Sequence, residues 1–161
     1  MPTLVNSPAS STVYLSMEIN GLPLHPLVVH AAVVFGSLAA VAALGYVALP
    51  RWRPVLRWPM LGVVLIGVGS VVAAYYSGNS FFNSRPPEIR ASPRVLNHQH
   101  LARQLFWITL AFGAVAIVAA WLSRRTGAVR VALDVLLAAG AVVVLVWVVR
   151  TGEAGARAVW G

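Results

Sequence analysis

The chain has no cysteine, no lysine and only four acidic residues among 161. Without cysteine there is no disulfide, thiolate metal site or iron–sulfur ligation within it. The scarcity of carboxylates removes paired-acid hydrolysis. No Ser-His-Asp order, Gly-rich phosphate loop or HExxH motif is present, so hydrolase and nucleotide-dependent chemistry has no motif to stand on. The twelve basic residues are all arginines and leave a net charge of +8. They are scattered over the ends of apolar runs instead of forming one stripe, which argues for topology signals and against nucleic acid. Richness in Ala, Val, Leu, Gly and Arg points to a GC-rich bacterial genome.

What is abundant is uncharged apolar sequence. Long runs extend from Ala31 to Pro50, from Pro59 to Ser84 and from Gln104 to Ser123, and a fourth from Val135 to Val149 reaches back to Val131 if Asp134 is tolerated. At about 1.5 Å per residue each approaches the ~30 Å of a hydrocarbon core. A globular chain of 161 residues cannot hide that much apolar surface, whereas lipid accepts it. The expectation is an all-α integral-membrane four-helix bundle in residues 21–161, with helices near 26–49, 59–78, 93–123 and 131–151, after a tail over 1–20. Met1 to Ser16 has neither a basic n-region nor an apolar h-region, so no cleaved signal peptide is expected. The tail reads either as disordered or as sequence upstream of a true start at Met17.

Arginine sets the orientation. Arg51, Arg53 and Arg57 lie between the first two runs, and Arg124, Arg125 and Arg130 between the last two, which places those loops in the cytoplasm. The opposite side holds Glu18, the Arg85–Arg94 loop softened by Glu88, and a tail with Arg150, Glu153 and Arg157. Both termini are expected outside a bacterial inner membrane. Trp52, Trp58, Trp121 and Trp160 fall near segment ends, as an aromatic belt would place them.

All four histidines, His25, His30, His98 and His100, fall at the expected outer end. Pro26 suits a first helical position and pushes His25 out of helical geometry, to the rim. His30 lies one turn deeper, beside a small-residue ridge of Ala32, Gly36 and Ala40 that favours close helix packing. Ser92-Pro93 reads as the cap and first turn of the helix that carries His98 and His100. Those two are about 200° apart on a continuous helix, so one of them faces the bundle. His30 with His98 or His100 are therefore the candidate axial ligands of a b-type haem iron, with His25 at the rim and Tyr75, Tyr76, Arg103 or Arg94 near the propionates. Zinc or copper on the same histidines is less supported, since only Glu153 adds a ligand there. The plain alternative is that interfacial histidines merely hydrogen-bond a carbonyl or a headgroup. Glu153 reads as a local ion pair with Arg150, and Asp134 as a favourable charge in the first turn of the fourth helix.

Gly21-Leu22-Pro23-Leu24-His25-Pro26-Leu27-Val28-Val29-His30 resembles the opening signature of the bacterial membrane family known as domain of unknown function 2231, DUF2231. The closing stretch from Thr151 to Trp160 is similar to that family's Gly-rich end. The resemblance implies a four-helix membrane domain of unassigned activity, with some relatives joined to Rieske-type iron–sulfur domains, a hint of redox context. Relatives commonly carry a proline after the HPxxxH motif and often a histidine in the closing segment, where this chain has Ala31-Ala32 and Glu153. That leaves helices one and three to build a site. The functional expectation is a non-enzymatic haem protein passing electrons to a redox membrane complex or Rieske-type protein, or else a membrane subunit or assembly factor with structural histidines. Conduction of a solute or proton is disfavoured, because no charge lies in mid-membrane.

Overall fold

The computed structural model describes residues 18–19 and 22–161, with side chains from His25 onward. The expectations about Met1–Met17 lie outside the described residues. Two short strands, β1 (Glu18–Ile19) and β2 (Leu22–Pro23), pair antiparallel. The rest is helical: α1 (Leu24–Ala48), a 3₁₀ turn (Pro50–Trp52), α2 (Arg53–Asn83), a short α3 (Pro87–Arg90), α4 (Pro93–Trp121) and α5 (Ala128–Trp160).

α1, α2, α4 and α5 are long and apolar enough to cross a membrane. They form a ring in which α1 packs on α2 and α5, and α4 on α5 and α2, leaving α1 and α4 on one diagonal. α1–α2 and α4–α5 are thus two antiparallel hairpins joined by residues 84–92. Less than half of the most apolar stretch of each long helix is buried. Val34, Val41, Leu65, Ile66, Val142 and Val149 all face outward. Such a surface is costly in water and fitted to lipid.

Small residues set the packing. Ala39, Ala40 and Ala43 of α1 and Ala116, Ala119 and Ala120 of α4 are buried, against Val64, Val71, Leu137 and Val144. The expected ridge is buried too, but the tightest crossing is elsewhere. A Cβ on Gly67 would lie 2.7 Å from the Phe35 carbonyl oxygen and 2.8 Å from the Ala39 Cβ. Only a glycine lets α2 approach α1 that closely.

Helix ends differ from the sequence expectation for identifiable reasons. α1 starts two residues ahead of Pro26, because N–H groups in a first turn have no intrahelical acceptor and a proline is tolerated there. His25 is consequently helical. α2 begins at Arg53 and carries Pro59 inside it, not at its start. Its other end, and that of α5, run on to Asn83 and Trp160. Ser92 occupies the expected cap position of α4 without a side-chain cap hydrogen bond. Gly127, with φ 71°, makes the turn into α5 in a conformation natural to glycine.

Candidate functional site

The histidines separate into two pairs. His25 and His30 are five positions apart, about 140° around a helix, so they cannot share a face. His25 is the half-buried one. Its Nδ1 lies 3.2 Å from Ser77 Oγ on α2. The Ser77 hydroxyl donates to Ala74 O at 3.1 Å. His98 is likewise half-buried, and its Nδ1–H donates across to Thr151 O on α5 at 3.1 Å. A neutral ring that donates through Nδ1 keeps its Nε2 lone pair for another partner.

Glycines make room for both rings. A Cβ on Gly78 would meet Cε1 of His25 at 2.9 Å, and one on Gly155 would meet Cε1 of His98 at 3.1 Å. Phe81 stacks on His25 with centroids 5.8 Å apart. The two imidazoles stand on the diagonal helices α1 and α4. Beside His98, Thr151 Oγ1 is buried with no hydrogen-bond partner among the described residues.

His30 and His100 face outward. His30 donates to Pro26 O at 2.7 Å, the local contact that the plain reading of an interfacial histidine describes. His100 lines an open cavity of about 310 Å³ with Tyr75, Asn79, Leu96, Gln99 and Arg103. Tyr75 stacks on Phe106 at 4.5 Å, and Tyr76 is exposed at the edge of that pair. The structure thus brings His25 and His98 toward the bundle interior and collects His100, Tyr75 and Arg103 on an outer face. Arg94 instead donates to the carbonyl of Gly161. Glu153 pairs with Arg157 at 2.5 Å and not with Arg150, whose guanidinium lies 5.2 Å from the Trp147 ring centroid. Helical i,i+4 spacing favours the former partner.

The family model described as "Predicted membrane protein (DUF2231)" matches residues 21–161. The chain belongs to the DUF2231 family. No curated protein and no solved structure matches it. Within this DUF2231 chain the opening HPxxxH motif spans two environments, His25 inside the bundle and His30 outside. The closing Gly-rich segment is the end of α5, and its Gly155 seats His98.

At the other end lies a polar cluster that the sequence reading missed. Arg130, expected to be a loop charge, is 6% exposed. It donates to Asp134, to Tyr46 Oη at 3.3 Å and to Ala119 O at 3.3 Å. Arg53 reaches the same Asp134 at 2.8 Å and the Val47 carbonyl at 3.2 Å. Asp134 lies in the second turn of α5, and it compensates two guanidiniums instead of simply facing a helix dipole. The signal in the sequence is the Arg130–Asp134 spacing of four at the head of an apolar helix.

Proposed function

We propose that this DUF2231 protein is a small bacterial inner-membrane electron-transfer domain in which His25 and His98 hold the iron of a b-type haem near the outer face. The observation that carries this reading is the pair of half-buried imidazoles on diagonal helices, each held through Nδ1, an arrangement that leaves Nε2 for a metal when Nδ1 carries the proton. Anchoring one ring nitrogen to an acceptor orients the other for a metal, the usual role of groups behind a histidine ligand. Two imidazoles suit haem, since the porphyrin supplies the remaining nitrogens. No group of three or more His, Cys, Asp or Glu residues able to hold a bare ion occurs among the described residues. Bound haem supplies one-electron transfer at its iron. The residues of the chain do the rest: Ser77 and Thr151 fix the rings, and Gly78 and Gly155 admit them. A redox membrane complex or a Rieske-type protein is the class of partner that fits.

The test is a visible spectrum with pyridine haemochrome analysis of the full chain purified in mild detergent from a haem-sufficient host. A stoichiometric b-type signal is expected, lost in His25→Ala and in His98→Ala but kept in His30→Ala and His100→Ala. A colourless, folded protein overturns the reading, and loss of the signal only in His30→Ala overturns the ligand assignment. One observation favours a second reading: His25 ties α1 to α2, and His98 ties α4 to α5. In a non-catalytic membrane subunit the same contacts serve as clamps. That reading expects colourless protein whose melting temperature falls in His98→Ala.

A further inference from the structure

We infer that the arginine end is a binding site for a phosphate-bearing anion, and that the headgroup of an acidic phospholipid occupies it. A cavity of about 300 Å³ opens between the start of α2 and the α4–α5 loop, lined by Arg53, Arg57, Arg124, Arg125 and Arg130 and by the hydroxyl residues Ser123 and Thr126. No carboxylate lines it. Asp134 engages Arg53 and Arg130, so five guanidiniums are answered by one acid. Concentrated positive charge at a partly desolvated cavity calls for an anion.

The donors are also incompletely used. Nε of Arg130 and Nε of Arg57 are buried with no hydrogen-bond partner among the described residues, and Arg130 is more than nine-tenths buried. A buried N–H without an acceptor costs free energy, and a planar guanidinium matches phosphate oxygens well. The N-termini of α2 and α5 point toward the same end, and neither is capped by a side chain. Their dipoles add to the attraction for an anion.

Position favours a lipid over a dissolved ion. Trp52, Trp58 and Trp121 are exposed at the same end of the bundle, and exposed tryptophans at the ends of membrane helices favour the headgroup layer. Basic pockets between membrane helices are suited to anionic headgroups, and an acyl chain would lie along the outward apolar faces of α2 and α4.

The experiment measures thermal unfolding of the full chain in a neutral maltoside detergent, with added phosphatidylglycerol, phosphatidylcholine, sodium phosphate or sodium chloride at matched ionic strength. Phosphatidylglycerol is expected to raise the midpoint by about 3 °C or more, with phosphatidylcholine and chloride without effect. The gain should vanish in the Arg124→Gln/Arg125→Gln double variant, whose residues are exposed and spare the fold, and shrink in Arg57→Gln. It should persist in Arg150→Gln/Arg157→Gln at the opposite end. Stabilisation by phosphatidylglycerol alone assigns the site to a lipid, whereas equal stabilisation by sodium phosphate keeps the anion site and moves its source to the dissolved ion. A gain that survives the double variant, or no gain from either phosphate compound, overturns the inference.

Discussion

At the level of single residues, the strongest constraint is Arg130, a buried cation whose neutralisation depends on Asp134. Removing one partner of a buried pair leaves the other charged and desolvated, at a cost of about 3 kcal/mol. Asp134→Asn should therefore lower the melting temperature markedly, with Arg53 and Arg130 left facing each other. Glu153→Gln, which breaks an ion pair between two exposed side chains, should stay within about 0.5 kcal/mol of the parent in the same measurement. The sequence showed Asp134 as a helix-start charge but not its second partner, because Arg53 is 81 positions away and only the antiparallel arrangement brings it near. The histidines were legible in the same partial way. Their collection at one end followed from the spacing of the apolar runs. Which ring turns inward depends on the helical phase set by where α1 begins, and the rule that a residue before proline avoids helix misjudged that for His25.

At the level of helices, glycines divide into those that permit contact and those that do not. A Cβ at Gly67 collides with the backbone of α1, whereas at Gly62 it meets nothing within 4 Å. Gly67→Ala should push α1 and α2 apart and cost about 1–3 kcal/mol. Gly62→Ala should be neutral or stabilising by about 0.5–1 kcal/mol, since it only improves helix propensity. Denaturant titration of both variants separates the two cases. The existence of four long helices was readable from composition, because nothing else in 161 residues accommodates those apolar runs. Their ends were less so. Apolar runs report where lipid begins, while hydrogen bonding carries α2 to Asn83 and α5 to Trp160, beyond the stretch that hydrophobicity marks. Gly152 and Gly155 resemble a loop in the sequence, but Gly155 stays helical where it receives the ring of His98.

For the whole molecule, the absence of cysteine turns topology into a clean measurement. The arginine distribution predicts both termini outside; on that expectation Ala156→Cys should react with a membrane-impermeant maleimide in intact cells, and Thr126→Cys only after permeabilisation. The reverse pattern would invert the bundle and move the histidine end to the cytoplasm. A regularity also emerges that no sequence repeat announces. In each hairpin a histidine near the start of the first helix bonds Ser77 or Thr151 on the second and rests on Gly78 or Gly155. In each, an arginine in the first turn of the second helix, Arg53 or Arg130, reaches back to the last carbonyls of the first. The halves share a plan of contacts without sharing residues in order.

That plan fixes where the halves are fastened. Arg53 to Asp134, Tyr46 to Ala119, Arg130 to Tyr46 and Arg57 to Ser123 all bridge one hairpin to the other, and all lie at the arginine end. The histidine contacts, by contrast, are internal to each hairpin. The halves are thus joined by hydrogen bonds and an ion pair at the arginine end, while toward the histidine end they meet through the stacked rings of Tyr75 and Phe106, with His25 and His98 on opposite halves.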